Sequence, residues 1–174
     1  MSLGIEGSML RWFQSFLNQR FICTRYNQNY SKFKQIHHSL PQGSVLSTIL
    51  FNIMIYDLPQ KLLQNKNINC ALFADDLVIW TSAKNKDEAK LSREMNKALE
   101  DLSIWCEENL MTINPAKSYF QVFTLKHNVP QIQISLKNTP IQETDEAKYL
   151  GIYLDKKLTW KTHSEKFPNQ HKNV

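Results

Sequence analysis

The sequence predicts an α+β chain, with helices packed on one face of an antiparallel sheet. Three observations lead there. Residues 69–80 read as two short apolar strands joined by the adjacent acids Asp75 and Asp76. Residues 85–109 carry Leu91, Met95, Ala98, Leu102 and Trp105 at steps of three and four, the spacing of one helical face. Short strand-like runs then continue to residue 160. A long helix after a strand hairpin, with more strands following, is the pattern of helices layered on a sheet.

The totals fit that class. A chain of 174 residues is long enough for one domain with a real core. Its 42% hydrophobic, 21% charged and 11% aromatic residues exclude a disordered chain. With only 4 glycines it is not a Gly-rich phosphate-loop protein. The net charge of +5 and the pI near 9.1 fit an anionic partner such as nucleic acid and fit ordinary surface lysines equally well. Cys23, Cys70 and Cys106 are far apart and odd in number, so they form neither a zinc-ligand pattern nor a disulfide framework. Reduced thiols and an intracellular location, cytoplasm or nucleus, are expected. The N-terminus has no signal-peptide pattern. The longest apolar run, 44–58, is interrupted by polar residues and too short to span a bilayer, so no membrane partner is expected.

In order along the chain, residues 4–20 place Ile5, Met9, Trp12, Phe13, Phe16 and Leu17 on one helical face. Residues 21–26 and 33–38 alternate like strands around a turn at Asn27-Gln28-Asn29, giving a β-hairpin flanked by Arg20, Arg25, Lys32 and Lys34. Interleaved with Tyr26, Tyr30 and Phe33, these cations match a surface that touches phosphates and stacks on bases, and match a solvated hairpin face as well. His37 and His38 are adjacent on a strand, so they point to opposite faces and do not share one metal ion. Leu40-Pro41-Gln42-Gly43-Ser44 is a tight loop in which Gly43 permits positive φ or close backbone approach. Ser47 is the expected N-cap of a helix apolar on nearly every side, hence buried, which Pro59 ends or kinks.

Residues 114–118 read as a turn, and 119–125, 132–136 and 139–141 as strands, with a turn at Lys137-Asn138. Residues 148–155 read as an apolar strand with Gly151 inside it, where an interior glycine marks a bulge or a close contact. Residues 163–174 are polar and patternless.

Asp75 and Asp76 are the most informative pair. Two neighbouring carboxylates repel, and burying them without partners is costly. At the tip of a two-residue hairpin turn they escape burial, and Asp tolerates that geometry. A rigid turn presenting oxygens at one point suits a hard cation such as Mg²⁺. By itself the pair also reads as a polar surface turn.

Four segments then line up in one order: residues 40–47 (Leu-Pro-Gln-Gly-Ser-Val-Leu-Ser), residues 73–76 (Phe-Ala-Asp-Asp), residues 113–118 (Ile-Asn-Pro-Ala-Lys-Ser), and Tyr149-Leu150-Gly151 with Leu158-Thr159-Trp160. With these the chain resembles the reverse transcriptases of non-LTR retrotransposons of the jockey-like kind, to about residue 163. The resemblance implies a partial polymerase palm over 1–163 with a polar tail at 164–174. It implies RNA-directed DNA polymerase ancestry, and RNA template, DNA primer and dNTP as partners. Asp75 corresponds to the main Mg²⁺ ligand and Asp76 to the supporting one. Phe73 and Ala74 precede them on the substrate side. Gln42, Gly43 and Ser44 correspond to the loop against template and incoming nucleotide. Lys117 corresponds to a lysine at the leaving pyrophosphate and equally reads as a surface turn lysine. Gly151 corresponds to the strand motif at the primer end.

The departures bear on activity. The family uses a third carboxylate on a strand upstream of the leading helix, and this sequence starts after it, so activity from this chain alone is not expected. The fingers and thumb segments are likewise not in the sequence. Thr48 stands where Pro is usual and Ser39-Leu40 where Gly-Val is usual. The alternatives are a non-catalytic nucleic-acid-binding remnant and a relic reading frame.

Overall fold

A computed structural model describes residues 4–37, 39–83, 87–125, 127, 129 and 131–167, in two compact units, Met1–Ile55 and Tyr56–Val174. In the first unit, helix α1 (Gly7–Leu17) carries the expected aromatic face. The ring of Trp12 stacks on Phe16 at 5.4 Å, one helical turn away, and meets Phe13 edge-on. Two nested ladders follow: β1 (Arg20–Ile22) pairs antiparallel with β4 (Lys34–Ile36), and β2 (Arg25–Tyr26) pairs antiparallel with β3 (Asn29–Tyr30). The inner turn is Asn27-Gln28, and Asn27 takes the left-handed φ of +54° that asparagine accepts readily. His38, half of the histidine pair, lies outside the described residues.

Helix α2 (Val45–Ile55) begins two residues before the expected cap. Ser47 therefore sits inside the helix, where its hydroxyl donates back to the Pro41 carbonyl at 2.5 Å. Only Ile55 of α2 is buried, and Val45 is 84% exposed, so the expected burial of this helix is not seen. One short helix and a narrow ribbon offer too little apolar surface to enclose a helix that is apolar on all sides.

The second unit is built on helix α4 (Glu88–Glu108). The Asp87 side chain caps it by accepting the Lys90 N–H at 3.0 Å. Residues 84–86, where the sequence starts this helix, lie outside the described residues. The buried side chains of α4 are Ala98, Leu102, Ser103, Trp105 and Cys106, which bears out most of the predicted stripe. Against α4 pack the short helix α3 (Leu58–Leu62), the hairpin of β5 (Ile68–Phe73) and β6 (Asp76–Thr81), and strand β8 (Ser135–Leu136). Their buried residues Leu58, Leu62, Ile68 and Leu136 complete the core. Pro59 neither ends nor kinks a helix. It sits in the first turn of α3, where its missing N–H costs nothing, and the chain breaks upstream at Tyr56-Asp57.

The remaining elements are short. A 3₁₀ turn at Pro115–Lys117, capped by the Asn114 side chain, leads into β7 (Tyr119–Phe120). Strand β8 pairs with β9 (Thr139–Pro140) around Lys137-Asn138, both at positive φ. Strand β10 (Gln142–Glu143) runs parallel to β7. The expected single strand over 148–155 is a hairpin of β11 (Glu146–Tyr149) and β12 (Ile152–Asp155), turned at Leu150-Gly151. A last helix, α5 (Lys161–Lys166), forms where the sequence shows no pattern and packs on β12. The architecture is α+β, with its sheet divided into two-stranded pieces.

Candidate functional site

Six residue pairs run from Ile68↔Thr81 to Phe73↔Asp76 and hold the β5–β6 hairpin in one register. The two turn residues are Ala74 and Asp75. Asp75 is thus at the tip, as the sequence predicts, but Asp76 is the first residue of β6, facing Phe73. Strand alternation puts Asp76 on the same face as Phe73, Val78 and Trp80. That face is open: Phe73 is 62% exposed and both carboxylates are exposed. The opposite face carries buried Ile68. Among the described residues neither carboxylate has a side-chain hydrogen bond or an ion pair.

Ala74 has a φ of +50°, which a residue with a Cβ adopts at a cost of about 1–2 kcal/mol. A positive φ at the first central residue alone is the pattern of a type II′ hairpin turn, whose twist matches the strands on either side. The long ladder and the packing on α4 sustain this strain.

The other residues of interest are distributed over both units. In the first, Gln42 and Gly43 are exposed in a turn closed by Ser44 N–H donating to Pro41 C=O at 3.3 Å. Gly43 has φ +85° and open space around its Cα, so positive φ is what requires glycine there, not close approach. In the second, Lys117 is exposed at the end of the 3₁₀ turn. Gly151 is at a hairpin tip, correcting its placement inside a strand. It pairs φ +85° with +47° at Leu150, the two positive values of a type I′ turn.

Two side chains not singled out by sequence tie the Lys117 segment to the Gly151 hairpin. The Tyr119 hydroxyl donates to Lys148 C=O at 2.7 Å and accepts the Lys148 N–H at 3.2 Å. Gln121 donates its side-chain amide to Asp145 C=O at 2.7 Å and Leu154 C=O at 3.1 Å. Their i, i+2 spacing after the turn was the available signal. Among the described residues, no hydrogen bond, ion pair or ring contact joins the Asp75-Asp76 turn to Lys117 or Gly151.

The electrostatics near that hairpin are well defined. Asp155 accepts the Thr159 and Lys157 N–H groups at 3.0 Å and the Thr159 hydroxyl at 3.0 Å. The Thr159 N–H, followed by these other donors, holds its carboxyl below the usual carboxylate range. Lys156 bridges Asp145 and Glu143, each at 2.7 Å, and those carboxylates raise its ammonium above the ordinary lysine range. All three cysteines are free thiols, and burial pushes Cys70 and Cys106 up, so both stay protonated.

The described residues contain no cluster of three or more His, Cys, Asp or Glu side chains able to hold a metal. Two adjacent exposed carboxylates, one in the turn and the next opening β6, do fit a hard cation that completes its shell with water and phosphate oxygens, which is how Mg²⁺ is usually held. No helix among the described residues is long and apolar enough to cross a membrane.

Comparison with known proteins decides the ancestry. The family model described as reverse transcriptase (RNA-dependent DNA polymerase) matches residues 2–154. The chain belongs to the reverse transcriptase family. It is 32% identical over 155 residues to a probable RNA-directed DNA polymerase from transposon BS of Drosophila melanogaster, across 86% of this chain and 17% of that protein. It is 30% identical over 152 residues to the corresponding probable polymerase from transposon X-element of the same fly, across 86% and 16%. It is 29% identical over 155 residues to the RNA-directed DNA polymerase from mobile element jockey, again across 86% and 16%. The chain therefore spans about one sixth of the length of these curated relatives. No solved structure matches the chain. Within this reverse transcriptase segment, both the Pro41-Gln42-Gly43 loop and the Asp75-Asp76 turn lie inside the matched residues.

Proposed function

We propose that this chain supplies the palm segment, residues 1–163, of an intracellular RNA-directed DNA polymerase of a jockey-like non-LTR retrotransposon, with 164–174 as a polar tail. The observation that carries this is the β5–β6 turn: Asp75 in the turn and Asp76 opening β6, both exposed and unpartnered among the described residues.

In this reading Asp75 is the principal ligand and Asp76 the supporting ligand for Mg²⁺. The metal, when bound, neutralises phosphate charge and polarises the attacking and leaving oxygens of nucleotidyl transfer. The chain's own part is positioning. The ladder from Ile68↔Thr81 to Phe73↔Asp76 fixes the carboxylates relative to the core. Phe73 and Ala74 shape the approach to them. Gln42, Gly43 and Ser44 offer a loop to the template and incoming dNTP, and Gly151 a turn to the primer end. Lys117 offers an ammonium to the leaving pyrophosphate, as preorganised charge does in transferring phosphoryl groups.

The reading needs a third carboxylate that no described residue brings to the turn, so nucleotide binding, not turnover, is the appropriate test. A fluorescent dNTP titrated with and without Mg²⁺ should bind the chain only with the cation. Asp75→Asn should remove that dependence. Binding that ignores both Mg²⁺ and Asp75 would overturn the reading.

A further inference from the structure

Helix α5 follows residues 2–154, the stretch matched to the family, and little of the usual kind holds it in place. It has six residues and buries none of them, so neither its length nor an apolar face fixes it. Leu158 and Trp160 lead into it at φ +54° and +64°, so its position works against backbone strain. Yet it packs on β12. The β11–β12 sheet has two strands, so β12 keeps an outer edge that no strand among the described residues covers. Tyr153 of β12 pairs with Lys148 of β11, and the backbone groups of this pair face away from each other. Lys148 turns its N–H and C=O to the Tyr119 hydroxyl, and Tyr153 donates its N–H to Nδ1 of His163 on α5, at 3.4 Å.

His163 is also the centre of a ring cluster. Its imidazole lies 5.1 Å from Phe167, 6.3 Å from Trp160 and 6.5 Å from Tyr153, centre to centre. The Tyr153 ring in turn lies under two ammonium groups, Lys148 of β11 at 5.2 Å and Lys166 of α5 at 4.8 Å. Lys166 is ion-paired with Glu146 of β11, which also accepts the Thr162 hydroxyl at 3.5 Å. Beside Tyr153, then, β11 and α5 bring two cations and one anion, and the anion is already committed to Lys166. The other charges of α5, Lys161 and Glu165, pair with each other at 3.9 Å. The remaining charge on β12 is Asp155, whose carboxyl Thr159 holds below the usual range.

We infer that α5 is a pH-sensitive latch on the β11–β12 hairpin, closed by the neutral imidazole of His163 and loosened when a proton from solvent takes the Nδ1 lone pair. Only a neutral ring with its hydrogen on Nε2 accepts at Nδ1. The imidazolium has a donor at both nitrogens, so protonation sets one N–H against the N–H of Tyr153. It also adds a third cation beside Lys148 and Lys166. Attraction of that cation to neighbouring rings offsets part of the loss, but the Tyr153 ring already serves two ammonium groups. Closed α5 therefore takes up fewer protons than open α5. Closure weakens as pH falls through the interval in which histidine ordinarily changes charge, about pH 8 to about pH 5. Asp155 stays charged across that interval and does not drive the change. Opening uncovers the outer edge of β12 and the Tyr153 ring. The latch rests on the hairpin and the helix alone, and it holds or fails independently of the polymerase reading.

The test follows the full chain by NMR and amide hydrogen exchange from about pH 8 to about pH 5. The imidazole signals of His163 report its own titration. The protection factor of the Tyr153 amide, which is corrected for the intrinsic pH dependence of exchange, should fall at least about threefold as His163 becomes charged, the scale of one net hydrogen bond. The amides of α5 should shift with the same midpoint, while those of β5, β6 and α4 hold their positions. This coincidence is read on the unsubstituted chain, so it does not depend on how any variant folds. His163→Gln has no titrating group at this position, and its Tyr153 protection should be the same at both ends of the interval. Glu146→Gln should lower Tyr153 protection at every pH and leave the fall in place. Constant Tyr153 protection while His163 titrates, a His163 that stays neutral throughout, or a fall that persists in His163→Gln would each overturn the inference.

Discussion

The indole N–H of Trp105 donates to a carboxylate oxygen of Asp57 at 2.9 Å, joining the far end of α4 to the residue that precedes α3. Asp57 occupies the N-cap position of α3 without a side-chain capping bond, because its carboxylate is turned to the indole instead. Trp105 is only 2% exposed, so its N–H has little alternative. Asp57→Ala should cost about 1–3 kcal/mol, the penalty of leaving a buried donor unpaired. Urea denaturation measures it. In a double-mutant cycle, Trp105→Phe in the Asp57→Ala background should cost less than Trp105→Phe alone, since the bond is already lost.

The turn at Leu150-Gly151 makes a separate claim on stability. Gly151 has φ +85° with nothing within 4 Å of a Cβ placed there. Gly151→Ala should therefore lose about 1 kcal/mol through backbone strain alone. Gly151→Asn should lose less, since asparagine enters the left-handed region more readily. Paired thermal melts distinguish the two. Equal losses would place the constraint elsewhere.

Asp155 sets a pH dependence whose sign follows from its donors. Its folded-state carboxyl is held below the ordinary range, first by the Thr159 N–H. Its contribution is therefore fully present above the unfolded-state carboxylate pKa and is lost as pH falls through the lower folded-state value. Asp155→Asn should be less stable than the parent at neutral pH. The gap should close on acidification through and below the ordinary carboxylate range. A gap independent of pH would show that the charge on Asp155 contributes nothing.

Primer extension on an RNA template tests the completeness of the catalytic set. With two carboxylates at the turn and no third near them among the described residues, the chain by itself should give no extension product with Mg²⁺ and dNTPs. Extension that Asp75→Ala abolishes would show that this chain holds a complete site.

Much of the fold was legible in the sequence because its elements are locally consistent. The stripe of Ala98, Leu102 and Trp105 specifies α4 through periodicity alone, and alternation on either side of Asn27 predicts a hairpin there, although Asn29 and Tyr30, outside the expected strands, form β3. The turn at Asp75 was legible for the same reason. What escaped depends on distant partners or backbone conformation. Pro59 reads as a helix breaker, yet it opens α3, because a first-turn proline and a terminating one look alike in sequence. Gly151 reads as a strand bulge, because the left-handed φ of Leu150 beside it has no signature in a leucine. Tyr119 and Gln121 are unremarkable residues until β11 and β12 supply the carbonyls they reach. Nothing local to Asp57 announces that its carboxylate is spent on Trp105, 48 residues away.

The central claim is that the Asp75-Asp76 turn is a divalent-cation site, and backbone amide NMR with a Mg²⁺ titration tests it most directly. Millimolar Mg²⁺ should shift the amides of Phe73 through Leu77, with trace Mn²⁺ broadening the same set. Asp75→Asn should suppress both effects and leave the amides of α4 where they were. Amides at the turn that stay in place through millimolar Mg²⁺, or that move equally in Asp75→Asn, would contradict it.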